Sequence, residues 1–174
     1  MKQRLDPRQL QAHAQRGTPR VPEPLARYRS SLGRRDGGDD PFPRGRYCLD
    51  FELPRASDAC EMRVRDFYQA LLPWLAHDLV ERPQPWIDVV ALIDELVTRE
   101  DDWYAWSAPW PLAELRLVVD EVAALLAAQP NPCAQQWLGD IDYEHLGRRF
   151  AGLQQDLAAH ASDCTDVLIN VHWW

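Results

Sequence analysis

Lysine is almost missing from this chain: Lys2 is the only one, against eighteen arginines. No apolar run approaches the ~18–20 residues that a membrane helix needs. The early basic residues Lys2 and Arg4 have no apolar stretch behind them. That excludes the usual secretory signal pattern and predicts a cytoplasmic protein. Cys48, Cys60, Cys133 and Cys164 are scattered, with no CxxC pair. They are expected to be reduced thiols rather than a disulfide framework or a zinc-binding motif. There is no G-x-S-x-G elbow, no P-loop, no dinucleotide fingerprint and no internal repeat. Nucleophilic or nucleotide-dependent catalysis therefore has no motif behind it, and no cofactor is expected.

What the chain does have is charge divided by position. Residues 1–46 hold 11 Lys/Arg against 5 Asp/Glu, whereas residues 47–174 hold 8 against 22 and all eight tryptophans. The net −8 hides a basic arm joined to a strongly acidic body. Asymmetry of this kind points to a charged partner, or to an arm that lies on its own body. It leaves direct nucleic-acid binding by the whole chain disfavoured, because the body repels a polyanion.

The arm contains one predicted short helix near 7–16, with Asp6 as N-cap and Pro7 at the first helical position. Residues 19–46 read as extended linker, because Pro19, Pro22, Pro24, Pro41 and Pro43 restrict the backbone and four glycines loosen it. Residues 46–53 then alternate strictly. Tyr47, Leu49, Phe51 and Leu53 lie on one side and Cys48, Asp50 and Glu52 on the other, which is a strand pattern. Residues 167–173 repeat it with Val167, Ile169, Val171 and Trp173. The indoles of Trp173 and Trp174 are expected to be buried against helices.

Four helical stripes lie between these strands. The first covers about 59–80, opened by an Asp58/Glu61 capping box and kinked or broken at Pro73. The second runs from Pro85 to about Trp103, the third from Pro111 to before Pro130, and the fourth over about 140–160 with Asp140 as N-cap. The expected fold is mainly α: a four-helix bundle-like body over 47–174, with a small two-stranded β element formed by residues near 46–53 and 167–173. An extended N-terminal arm over 1–46 completes it.

The candidate binding site is the segment Glu100, Asp101, Asp102, Trp103, Tyr104, Trp106 and Trp110. Acids at a helix C-terminus oppose the macrodipole, so three in a row need a reason. Carboxylates steer a basic partner, and adjacent aromatics anchor it. Packing of the aromatics at the end of the bundle is the structural alternative. Asp142 and His145 form the chain's one helical carboxylate-x-x-His pair. A di-metal bundle needs two such pairs, so no metal site is expected.

These patterns favour a protein-binding module whose acidic, Trp-rich surface engages a basic protein. The concrete form is a bacterial immunity-type inhibitor of a basic toxin. The bacterial setting rests on the Lys-poor, Arg- and Ala-rich composition that a GC-rich genome gives. The alternatives are a regulatory or nucleic-acid-associated protein acting through its basic arm and, behind it, a metal-dependent helical enzyme using Asp142 and His145.

Overall fold

The computed structural model describes residues 3–4, 21–32, 42, 47–53, 60–99, 106–128 and 142–173. In chain order the elements are β1 (Gln3–Arg4), α1 (Glu23–Ser31), β2 (Tyr47–Glu52), β3 (Cys60–Arg63) and α2 (Val64–Ala76). They continue with α3 (Pro83–Arg99), β4 (Trp106–Pro111), α4 (Leu112–Ala128), α5 (Tyr143–Ala159) and β5 (Asp166–Trp173). The strands form one sheet in the order β1-β4-β5-β2-β3. The two-residue β1 is parallel to β4, and the other pairings are antiparallel.

The architecture is therefore α+β, with five helices and a four-stranded antiparallel sheet extended by β1 among the described residues. It corrects the expected four-helix bundle with a two-stranded ribbon. Two strands escape a sequence pattern search for physical reasons. Residues Cys60–Arg63 alternate for only four positions and run straight into a helix, so helical periodicity absorbs them. The Asp58/Glu61 capping box is not the helix start: α2 is preceded by Arg63, whose side chain makes no capping bond. Residues Trp106–Pro111 contain two prolines, which normally argue against a strand. Here β1 pairs only with Trp106 and Ser107, so Pro109 and Pro111 have no described neighbour on that side and no ladder donor is lost.

Register follows the alternation. Leu49 faces Val171 and Phe51 faces Ile169, while Ala108 meets Ile169 from the other side. All five are fully buried and form the apolar face of the sheet. A relay of rings carries this face into the helices: Phe51 lies 6.1 Å from Phe67 on α2, and Phe67 stacks on Phe150 of α5 at 5.7 Å. Helix α3 adds Trp86, buried, whose indole Nε1 donates to Glu121 Oε2 of α4 at 2.7 Å. Helices α4 and α5 are tied by Gln154 Nε2 donating to Asp120 Oδ1 at 2.9 Å.

Helix α1 occupies residues that read as extended linker. Its prolines sit at the N-cap and the second helical position, where no intrahelical donor is needed. Leu25 and Tyr28, one turn apart, are buried in the common core, and the Tyr28 ring packs 5.4 Å from Phe42. Arg29 closes the junction with α2 by donating to Leu75 O at 3.3 Å and pairing with Asp78 at 3.5 Å. The end of α2 is a Schellman turn, with Leu79 N donating to Trp74 O and Asp78 N to Leu75 O. Asp78 takes the left-handed position, φ 53°. Pro73 neither breaks nor ends α2, which continues to Ala76.

Helix α5 begins at Tyr143 with Asp142, not Asp140, as its cap. The helix expected near 7–16 lies outside the described residues. Trp173 is half exposed and meets Tyr47 edge-on at 5.0 Å, so its expected burial against helices does not occur, and Trp174 lies outside the described residues. No helix among the described residues is long and apolar enough to cross a membrane.

Candidate functional site

Of the candidate segment, Glu100, Asp101, Asp102, Trp103 and Tyr104 lie outside the described residues. Trp106 and Trp110 belong to β4, on the same face as buried Ala108. Both are half-buried and pack against the core. The Arg99 guanidinium sits 5.9 Å from the Trp106 ring centroid, a cation–π distance, and also pairs with Glu95 on its own helix. Trp106 Nε1 is buried without a hydrogen-bond partner among the described residues.

Other sequence candidates have local duties. Asp142 Oδ1 accepts from His145 N at 2.8 Å, capping α5, so the carboxylate serves the helix end. The His145 ring faces Asp66 of α2 at 3.6 Å. The nucleic-acid alternative would have the arm's arginines contact phosphates and Tyr28 stack on bases, but Tyr28 is inside the core, which removes it from that role. Arg27 is paired with Glu23 and Arg29 with Asp78. Arg34, Arg35, Arg44 and Arg46 lie outside the described residues.

One titratable cluster sits where α1 crosses α3. Burial, with Glu23 and Glu95 adding repulsion, holds the Asp94 carboxyl above its ordinary range, and Arg27 opposes the rise. The Tyr68 phenol beside it is pushed well above its usual value by burial and then by Asp94. Its hydroxyl has no hydrogen-bond partner among the described residues. A buried phenol pushed up in this way stays protonated and releases its proton reluctantly, so this cluster bears on stability rather than on chemistry.

A second cluster lies on the sheet face opposite the core. Alternation turns Cys48, Asp50 and Glu52 of β2 to this face, with Asn170 and His172 of β5, Glu61 of β3 and Ser107 of β4. Cys48 stands between His172 and Arg63, and Asp50 stands between Glu61 and Asn170, so the Arg63 cation shares this face with the carboxylates. Donor atoms of Cys48, Glu61 and His172 lie within 4.8 Å of one another. Asp50 Oδ2 is 3.3 Å from His172 Nδ1. The face is closed at its centre, since Cys48, Ser107 and Asn170 are each at most 2% exposed, and it opens to solvent at Glu61.

Two chemistries use such a group. A Cys–His–Asp relay needs its sulfur to reach a substrate, which the burial of Cys48 opposes. Metal coordination needs only converging donors, and a thiol, an imidazole and a carboxylate are suitable ones. The sequence concealed this group because its members come from three strands, one of which reads as a helix start. The available signal was the shared polar side of 46–53 and 167–173, which holds Cys48, Asp50, Asn170 and His172.

No protein-family model matches this chain, and comparisons with curated proteins and with solved structures give no match.

Proposed function

We propose that this is a cytoplasmic, bacterial protein-binding domain of the immunity type, which neutralises a basic toxin through its acidic surface. The observation that supports it is uncompensated negative charge. Among the described arginines, Arg27, Arg29, Arg99 and Arg148 are already held in ion pairs by Glu23, Asp78, Glu95 and Glu144. Glu81, Glu114, Asp156 and Asp166 are exposed and enter no ion pair among the described residues. Arg63, Arg82 and Arg149 are exposed in the same way, but the body as a whole keeps its excess of acids, 22 against 8 over residues 47–174. A surface of this kind raises the encounter rate with a cationic protein and rejects nucleic acid and acidic partners.

The contact is assigned to residues 100–110. Three acids follow α3 there, and Trp106 and Trp110 tie the segment to the core. Anchoring one end of a recognition segment on a sheet lowers the entropy lost on binding. The described thiols Cys48 and Cys164 fit a reducing compartment.

The test is affinity capture from native bacterial lysate by the full chain and by an Asp101→Lys, Asp102→Lys variant. The variant should lose a stoichiometric basic protein that the parent retains, while its stability changes by less than ~1 kcal/mol. Equal capture by both chains removes residues 101 and 102 from the contact. Nucleic acid retained in place of protein moves function to the basic arm.

A further inference from the structure

We propose that Cys48, Glu61 and His172 bind a zinc ion on the outer face of the sheet. The placement follows from strand register. Cys48 and His172 are direct neighbours across β2 and β5, and Glu61 is diagonal to Cys48 across β2 and β3, one row further along. All three share one face. Their donor atoms lie within 4.8 Å of one another. A loaded tetrahedral site, with metal–ligand bonds of about 2.0–2.3 Å, sets its donors roughly 3.3–3.8 Å apart. Closing that difference takes side-chain rotation and no movement of the sheet.

The donor set selects the ion. Magnesium and calcium prefer oxygen ligands throughout, whereas a thiolate, an imidazole and a carboxylate suit zinc. Charge agrees. A thiolate and a carboxylate sum to −2, so a zinc ion leaves the three-ligand group neutral. Binding releases the Cys48 thiol proton to solvent and forms the sulfur–zinc bond in its place. A thiolate buried as Cys48 is would otherwise be costly.

The surrounding residues fit a supporting shell. Asp50 Oδ2 lies 3.3 Å from His172 Nδ1, which orients the ring and leaves Nε2 to ligate. A carboxylate behind a ligating histidine is a recurrent feature of zinc sites. Arg149 of α5 donates to the Glu61 carbonyl at 3.3 Å, fixing β3 against its helix and holding the third ligand in register. Glu61 is exposed and His172 partly so, which gives the ion a path from solvent and leaves a fourth position for water.

The experiment uses the full chain, stripped with chelator and titrated with zinc chloride by calorimetry, with cobalt(II) as an optical probe. The expected result is stoichiometric zinc and, with cobalt, a thiolate-to-metal charge-transfer band. Glu61→Gln and His172→Ala should each weaken zinc binding by at least ~100-fold, and Asp50→Asn by about 10–100-fold, as for outer-shell partners. Cys164→Ser, at a thiol that donates to His160 O away from this group, should leave it unchanged. Cys48→Ser should abolish the charge-transfer band. Because Cys48 is buried, circular dichroism must show that variant folded; the exposed Glu61→Gln carries the test if it is not. No zinc bound by the folded parent chain overturns the proposal. So does parental affinity retained in both Glu61→Gln and His172→Ala.

Discussion

Replacing Phe67 tests the central claim of the fold, that one helix couples the sheet to the rest of the core. Phe67 is fully buried on α2 and touches a ring on each side, Phe51 of β2 at 6.1 Å and Phe150 of α5 at 5.7 Å. Aromatic pairs are worth about 0.5–1.5 kcal/mol each beyond their buried area. Phe67→Leu keeps most of the volume and loses both pairs, so it should cost about 1–3 kcal/mol. Phe67→Ala adds the transfer and cavity terms and should cost about 3–5 kcal/mol. Urea unfolding followed by far-UV circular dichroism reads both, with the denaturant slope expected to stay constant. Double-mutant cycles with Phe51→Leu and Phe150→Leu should each return a coupling of about 0.5–1.5 kcal/mol. A Phe67→Ala cost below ~1 kcal/mol, the range of ordinary surface changes, would refute the relay. Coupling to Phe150 but none to Phe51 would leave the helices packed and detach the sheet from them.

Two further outcomes follow from local geometry. Asp142→Ala removes the side chain that accepts from His145 N at 2.8 Å, and should cost about 1 kcal/mol in urea unfolding, whereas Asp142→Asn should cost a few tenths. Asp94 gives a pH signature. Its folded carboxyl holds a proton more tightly than the unfolded one, because of burial first and then Glu23 and Glu95. Below the ordinary aspartate value of about 3.9 both states are protonated and nothing is lost. Stability then falls as pH rises through the window up to the raised folded value, and the loss is complete above it. Asp94→Asn should therefore raise the thermal midpoint at neutral pH, with the gain fading below about pH 4. A gain that is constant across that range removes the carboxylate as its cause.

The helices were legible because their stripes are long. Val89, Val90, Ile93 and Leu96 of α3, and Leu115, Val118, Val119 and Val122 of α4, repeat over several turns and are all buried. The segments around β2 and β5 were legible from alternation, with Leu49, Phe51, Val167, Ile169 and Val171 on one side. Short or proline-containing elements were not. Glu23–Ser31 opens with prolines that look like linker until the Leu25/Tyr28 pair is recognised as a one-turn stripe. Pro109 and Pro111 hid β4, since their tolerance depends on which side of the strand has a neighbour, a tertiary fact. The Cys48–Glu61–His172 group depends on the β2–β3 and β2–β5 registers together, and local pattern encodes neither. In the 100–110 segment, composition marked the cluster, yet it took packing to show Trp106 and Trp110 against the core.

The position of β5 has a consequence for how the molecule is made. It follows every other described element in the chain, yet it lies in the interior of the sheet, hydrogen-bonded to β2 on one side and β4 on the other. During synthesis, β2 and β4 leave the ribosome with no strand between them. Each then presents an unpaired edge until residues 166–173 emerge. The sheet cannot close progressively from its N-terminal side, and its defining contacts join residues far apart in sequence, which slows folding. A chain interrupted before Asp166 would retain its helical stripes but leave a gap in the middle of its sheet, a species suited to capture by chaperones or by its own copies.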